Sequence, residues 1–381
     1  MTFGDEISRD KAFGKKLAEL RAWIRAEVEP HSDAWEEAQR LPESATEHLA
    51  AQGWFGAALE PQWGGLGLDG PELGRFCAEL ARGSFSLLSL FAVHAMVGQA
   101  IARWGDEGQK REWLPRLAAG RPLAAFALTE PERGCDAADP QCRAELEGDE
   151  RRLFGEKKWI SGATKAGLFL VLAACGQEGP AAFLVPADAA GLTVRPMKDL
   201  LGFRAAGVGR LRFEGCRLPA SALIGRPGEG FSFVAAQALD WGRFIVAWGS
   251  VGLMEACLAA SADYARQRRQ FGQPLRKHQL IQGLVADLAA DLAASRALAM
   301  EAARQRDESS PDSIMTACTA KYFCSKAARR AAEIAVQIHG ANGCGPDYPV
   351  ARYYRDAKIG EIIEGSNQMQ QLMIAAEAFR S

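Results

Sequence analysis

One glutamate in this chain is placed to do acid–base chemistry. In Glu361-Ile362-Ile363-Glu364-Gly365-Ser366 the Glu364 carboxylate stands between two isoleucines and a glycine. Apolar flanks can strip water from a carboxylate and raise its pKa toward neutrality, where a general base works best. Gly365, lacking a Cβ, would let a substrate backbone approach closely. Glu361, one helical turn earlier, is the nearest rival and reads as structural. Two other segments, Phe126–Asp136 (FALTEPERGCD) and Lys157–Gly167 (KKWISGATKAG), each pair an aromatic residue with short hydroxyl side chains. That is the equipment for covering a flat heteroaromatic ring and hydrogen-bonding its edge. Taken alone, each reads equally well as an ordinary strand end.

Other patterns carry less. Gly65, Gly67 and Gly70 fall in the GxGxxG spacing, but no strand precedes them and no parallel βαβ unit encloses them, so they read as shaping a loop between helices. Nine cysteines show no CxxC pair and no Cys/His cluster at zinc spacing, which reads as reduced thiols packed as small apolar residues, with no metal site. Basic and acidic residues nearly cancel, 45 against 47, so there is no global field to hold a nucleic acid. At 48% hydrophobic and 24% charged residues the composition is that of a soluble globular protein. Apolar stretches such as 85–100 are interrupted by His, Gln or Ser, and the charged N-terminus lacks an apolar signal region, so the expectation is no membrane span and a cytoplasmic location.

The elements that must position these residues change texture twice. Leu17, Leu20, Ile24 and Val28 recur at helical spacing before Pro30, and similar texture continues to about Leu117. Asp69-Gly70-Pro71 reads as a helix restart after the glycine loop. From about Leu123 to Ile224 short apolar runs alternate with turn residues, the pattern of a small antiparallel β-domain, barrel or sandwich. From Phe231 the chain is rich in Ala and Leu with few breakers, which predicts long helices in a four-helix bundle. The expected fold class is mainly α with a central β-domain, divided into an N-terminal helical domain (1–122), a middle β-domain (123–226) and a C-terminal bundle (227–381).

Three later segments complete an ordered set: LDWGR (Leu239–Arg243), RRQFGQPLRKHQLI (Arg268–Ile281), and the stretch from QIHGANG (Gln337–Gly343) through YRDAKIGEIIEGSNQMQ (Tyr354–Gln370). With these the sequence resembles the acyl-CoA dehydrogenase family of flavoproteins from about residue 15 to its end. The resemblance implies the same three-part fold, FAD as cofactor, and oligomers in which residues of two subunits hold each flavin.

It also implies roles for particular positions. Leu128 and Thr129 match residues that meet the flavin pyrimidine edge, Trp159 the indole lying on the isoalloxazine, and Ser161 the hydroxyl at flavin N5. Phe126, Gly134, Cys135 and Ile160 belong to the same cofactor-binding segments. Arg268, Gln270 and Phe271, with Gln279, match the motif that reaches the FAD of a neighbouring subunit, as do Gln337, Gly340 and Ala341. Ser366 and Gln368 match cofactor contacts beside the catalytic segment. Glu364 matches the base that removes the α-proton of an acyl thioester while a hydride leaves the β-carbon, and its amide would help polarise the thioester carbonyl. Asp240, Arg243, Trp248 and Gly365 are the expected substrate residues.

Three features bear on the substrate. Cys135 replaces the serine usual in the TEPxxGSD motif, which removes a good donor near the thioester tail. Trp248 stands where a small residue is common and, if it borders the acyl channel, shortens it. The connection at 176–180 is brief, leaving little protein to hold a CoA adenosine. These features resemble the dehydrogenases that make hydroxymalonyl- or methoxymalonyl-type extender units on acyl carrier proteins for polyketide or peptide pathways. The expected substrate is a short, hydroxylated C3 acyl group on a carrier protein, with an electron acceptor as a further partner. The alternatives are a catabolic short- or branched-chain acyl-CoA dehydrogenase and a non-catalytic flavoprotein assembly partner. An acidic carrier would dock on a local basic surface, either Lys326, Arg329 and Arg330 or Arg204, Arg210 and Arg212.

Overall fold

Asp69 caps the helix that follows it. Its side chain accepts the amide of Glu72, Glu72 reaches back to the Asp69 amide, and Pro71 occupies the first turn, where its missing N–H costs nothing. In the computed structural model of the chain, which describes residues 3–148 and 150–380 and side chains from Lys11 onward, this helix is α4 (Gly70–Gly83). It follows α1 (Phe3–Trp23), α2 (Ser32–Glu37) and α3 (Glu43–Ala51). α1 runs on through one π turn, Ile24–Val28, before Pro30, and Leu17, Leu20, Ile24 and Val28 are all buried. The glycines at 65 and 67 shape the preceding loop. Gly67 takes φ +59, and a Cβ on Gly65 would collide with the Leu59 backbone.

α5 (Phe85–Trp104) is apolar nearly all round and lies in the core against β1 (Leu123–Ala127) and α7 (Ala236–Gln267), while α6 (Glu107–Ala118) flanks it. The 230–267 helical stretch and α5 are both long and apolar enough to cross a membrane, but 78% and 89% of their most apolar windows are buried inside the protein.

The middle region is one eight-stranded sheet with open ends. Beyond β1 it contains β2 (Arg143–Glu147), β3 (Glu150–Ile160), β4 (Ala166–Ala174), β5 (Pro180–Pro186), β6 (Leu192–Pro196), β7 (Gly209–Leu218) and β8 (Leu223–Ile224). Their order is β6-β7-β3-β2-β4-β5-β8, with β1 joined to β4. The expected central β-domain is present, and two details of it are corrected, the barrel alternative and the fully antiparallel pairing. The sheet does not close, and β4 runs parallel to both β1 and β2. The β2–β3 hairpin stands between β1 and β4 in sequence, and so long a connection can return in the same direction. Run lengths and turns cannot reveal that.

The C-terminal region is helical, with three long helices rather than four. α8 (Gln279–Asp307) is antiparallel to α7, since Arg306 meets Asp240 and Arg296 meets Glu255. α9 (Ser313–His339) is parallel to α7, since Arg243 meets Cys318 and, 21 residues later on both, Tyr264 meets His339. The short helices α10 (Val350–Gly360) and α11 (Asn367–Ala378) both pack on α9. A two-residue ladder, β9 (Arg269–Gln270) with β10 (Gln273–Pro274), joins α7 to α8. All nine cysteines are free thiols, seven of them buried.

Candidate active site

Glu364 lies in the loop between α10 and α11, where Gly360 ends one helix and Ser366 precedes the next. Its backbone is left-handed, φ +56, and Gly365 follows at φ +84. A left-handed glutamate is uncommon and is kept only when its surroundings hold it there. Here the loop carbonyls are held one by one. Arg243 Nε donates to Glu364 O (3.3 Å), Gln370 Nε2 to Glu364 O (3.3 Å) and Gly365 O (3.0 Å), and Lys321 Nζ to Glu361 O (3.2 Å) and Gly365 O (3.0 Å). Among the described residues the Glu364 amide N–H has no acceptor, leaving it available to a carbonyl brought to the site.

The carboxylate lies against α7 at Gly242, where a Cβ would stand 2.5 Å from Oε2 and 2.6 Å from Cδ. Burial pushes the Glu364 carboxyl up to about 7, against the opposing pull of Arg243 and Lys321. The group is therefore a base with a proton affinity near neutrality.

A second group of expected residues gathers at the start of the sheet. Trp159 sits in a β-bulge between Lys157 and Ile160 on β3, at φ +63, which turns its indole outward to 52% exposure. The Lys158 amide donates to Thr129 O (2.8 Å), tying the Leu128–Thr129 segment to the bulge. Below them is an ion pair that sequence reasoning missed. Lys157, fully buried, donates to Leu128 O (2.9 Å) and to Glu130 Oε1 (2.7 Å), and Glu130 also accepts the amides of Gln141 and Cys142. The signal for it was in plain view, the first lysine of KKWISG and the glutamate of TEP. Phe126 and Ile160 are core side chains, so only their backbone can face a ligand. Gly134 and Cys135 are exposed, and Cys135 Sγ lies 3.9 Å from Ser366 Oγ, linking this group to the Glu364 loop. Gln368 is exposed on α11.

The third group lies elsewhere. Arg268, Gln270, Phe271, Gln279, Gln337, Gly340 and Ala341 are all exposed at the far end of α7 and α9. Phe271, at the tip of the β9–β10 turn with φ +49, is 94% exposed. Tyr264, which meets His339 and Asn342 there, is 22 residues along α7 from Gly242, about 33 Å at 1.5 Å per residue. One chain cannot close both groups on the same flavin ring.

Asp240 is paired with Arg306 (2.8 Å), which also stacks over Trp241 and Phe244. The buried Asp240 Oδ1 has no partner among the described residues. The expectation for Trp248 is corrected. Its indole packs on α4, with the position of a Cβ on Gly74 only 2.5 Å from Nε1. Six residues beyond Gly242 on a helix, it faces about 120° away from Glu364. The residue that shares the face of Gly242 is Gly249, two turns on, and Leu88 of α5 presses into it, with Phe85 Cζ 3.1 Å from where a Cβ would be.

Four of the six residues in the expected basic clusters are paired with acids, while Lys326 Nζ meets only Tyr322 Oη among the described residues. Arg329 pairs with Glu333 and Glu361, Arg330 with Asp287 and Asp291, Arg210 with Glu156, and Arg212 with Glu214, while Arg204 Nε donates to Leu200 O.

The residues present fit a flavin. An outward indole held in a bulge offers a ring-sized platform, and the near-neutral carboxylate beside the unpaired Glu364 amide lies against α7 at a glycine. Comparison with known proteins agrees. Residues 16–121, 125–216 and 228–379 match the N-terminal, middle and C-terminal domains of acyl-CoA dehydrogenase. The probable acyl-CoA dehydrogenase FadE25 of Mycobacterium tuberculosis is 34% identical over 95% of both chains. Among solved structures, butyryl-CoA dehydrogenase from Megasphaera elsdenii superposes with TM-score 0.92 at 31% identity over 97% of this chain and 98% of that one. A glutaryl-CoA dehydrogenase from Mycobacterium smegmatis, solved with FADH2, gives 0.92 at 28% over 98% and 95%. FkbI, described for biosynthesis of the methoxymalonyl extender unit of the polyketide FK520, gives 0.88 at 32% over 96% and 99%, and the prolyl acyl carrier protein oxidase AnaB 0.90 at 26% over 96% and 98%.

Proposed function

Because the chain belongs to the acyl-CoA dehydrogenase family, FAD-dependent oxidoreductases acting on acyl thioesters, we propose that Glu364 is its catalytic base and that its substrate is a short acyl group carried on an acyl carrier protein. The observation that carries the first part is the desolvated carboxylate in the notch at Gly242. FAD, when bound, supplies the acceptor for the hydride leaving the substrate β-carbon. Trp159, Thr129 and Ser161 would hold the flavin ring, with the exposed group at Phe271 and Gln337 completing the site of a second copy. Glu364 takes the α-proton, and its free amide N–H polarises the thioester carbonyl as charge develops on the oxygen, a contribution of roughly 3–4 kcal/mol in comparable sites. Arg243 and Lys321 keep the carboxylate ionised when substrate excludes water.

Substrate length follows from α7. Gly242 and Gly249 share one face of α7, two turns or about 10.5 Å apart, with Glu364 against the first and Leu88 and Phe85 against the second. An acyl group confined between those two points would be short, of C3 type. Carrier presentation is supported by likeness to FkbI and AnaB, by a thiol rather than a hydroxyl at Cys135, and by the brief β4–β5 connection through Gly176–Glu178. Such an enzyme would act in the cytoplasm in extender-unit synthesis and pass its electrons to a separate redox partner. A second reading, a catabolic short-chain acyl-CoA dehydrogenase, is favoured by the likeness to butyryl-CoA dehydrogenase. Stopped-flow flavin bleaching decides between them. Fast reduction by a carrier-bound hydroxylated C3 substrate and slow reduction by butyryl- and isobutyryl-CoA is expected, and the reverse order would favour the second reading. Full turnover by a Glu364→Gln variant would sink the assignment of the base.

A further inference from the structure

Lys321 is a lysine placed where an alanine would be expected. It lies on the inner stripe of α9 with Ala317, Cys324 and Ala328, all buried, and is itself 0% exposed. Its ammonium has three protons and three acceptors: Glu361 O at 3.2 Å, Gly365 O at 3.0 Å and the Asn367 side-chain oxygen at 3.0 Å. Those acceptors bracket Glu364 on both sides. Asn367 Oδ1 is fixed in turn by Ser325 Oγ (3.1 Å), and the Asn367 amide closes back onto Glu361 O (2.9 Å). A buried ammonium that meets all its acceptors on one loop has its desolvation offset only while that loop keeps its shape.

We propose that Lys321 is the positioning residue of the active-site loop: it clamps 361–367 so that Glu364 stays left-handed with its carboxylate in the Gly242 notch, and it sets the charge at which that carboxylate works. The inference rests on Glu364 being the base. The charged groups acting on Glu364 are Arg243 on α7 and Lys321 on α9; Arg243 also meets Cys318 on α9, and Asp240, just before it on α7, is paired with Arg306. Glu361 in the loop itself is turned away onto Arg329 and Lys358. Burial lowers the Lys321 ammonium to about 7, and Glu364 is the foremost group opposing that fall. The two groups therefore exchange influence over the same pH range, each favouring the charged form of the other.

The test uses FAD-loaded Lys321→Met, Lys321→Arg and Asn367→Ala proteins with saturating short acyl thioester. For Lys321→Met the expectation is a 10- to 100-fold fall in kcat with KM within about threefold, and an acid limb of the rate profile moved up by half a pH unit or more. Lys321→Arg should recover part of the loss by retaining the charge. Asn367→Ala, which removes one acceptor and leaves the lysine, should show the same kcat-selective loss on a smaller scale. A readout independent of turnover is the pH at which the gain in melting temperature from Glu364→Gln levels off, which marks the folded-state pKa of the carboxyl. Adding Lys321→Met should move that pH upward. A Lys321→Met protein that keeps its flavin and matches the parent in kcat and acid limb overturns the proposal. Should that variant not fold, an Asn367→Ala protein with parental kcat and limb overturns it instead. Neither outcome touches the assignment of the base, which Glu364→Gln tests separately.

Discussion

The Glu364 carboxylate occupies the space that a side chain at Gly242 would take. The Oε2 atom lies 2.5 Å and Cδ 2.6 Å from the Cβ position of that glycine, which is buried in the first third of α7. A flexible backbone is not the reason for glycine there, since Gly242 is helical; the reason is volume. Replacing it by alanine should therefore split stability from activity. Alanine gains about 1 kcal/mol of helix propensity, so the melting temperature should hold or rise slightly. The displaced carboxylate should cost 10- to 100-fold in the rate of flavin reduction, because misplacement of about 1 Å is enough for losses of that order. Stopped-flow reduction and thermal scans of Gly242→Ala check both signs, and an unchanged rate would show that Glu364 does not work from this notch.

Glu364→Gln should lower kcat by 10²- to 10⁴-fold, the usual range for a positioned base. In the parent, the carboxylate must be ionised to act, so kcat/KM should rise with pH through about 7 and level above it. The stability consequence has the opposite sense. The folded-state pKa is raised from 4.5 to about 7, so the group's stabilising contribution is complete below about pH 4.5 and is lost as pH rises to 7. The glutamine variant should then be more stable than the parent by up to about 3 kcal/mol above pH 7, and no more stable at pH 4.5. Denaturant titrations at the two pH values measure the difference.

Leu88→Ala should lengthen the acyl groove, because the leucine fills the face of α7 at Gly249. The expected result is a rise in kcat/KM for C6–C8 thioesters relative to C3–C4, by about tenfold on the scale of one or two buried methylenes. Trp248→Ala should do no such thing. It should destabilise the fold by about 3–5 kcal/mol through the cavity left against Gly74 and leave chain-length preference unchanged. Paired rate profiles over a series of chain lengths distinguish the two residues, and a longer-chain preference in the Trp248 variant would restore that residue to the channel.

Lys157→Met leaves Glu130 buried without its cation and frees Leu128 O. A loss of about 3–5 kcal/mol is expected, together with weaker FAD retention, because the Leu128–Thr129 segment loses its anchor beneath the Trp159 bulge. The double replacement Lys157→Met with Glu130→Gln should regain part of the stability. Urea melts of the single and double variants, with flavin content by absorbance, check the pair.

Much of this could be read from residue order alone. The helical stripes, the capped restart at Asp69, the glycine loop, the change to strands after Leu123 and the run of motifs from FALTEP to EIIEGS are local or short-range in the chain, and local rules suffice for them. Glu364 was legible because its apolar neighbours are sequence neighbours. What the sequence could not supply was every relationship made by contacts distant in the chain. Gly242 meets Glu364 across 122 residues, Lys321 reaches the loop across some 40, and Lys157 meets Glu130 across 27. The same limit explains the misreadings. Which of three faces of α7 carries Trp248 depends on how the helix is rotated against α4 and α5, and whether an arginine cluster is a free patch depends on acids brought to it by other elements. Periodicity fixes a helix and its stripe, but the rotation of one helix against another is set by how side chains and glycines interlock, and that exists only once the chain is packed.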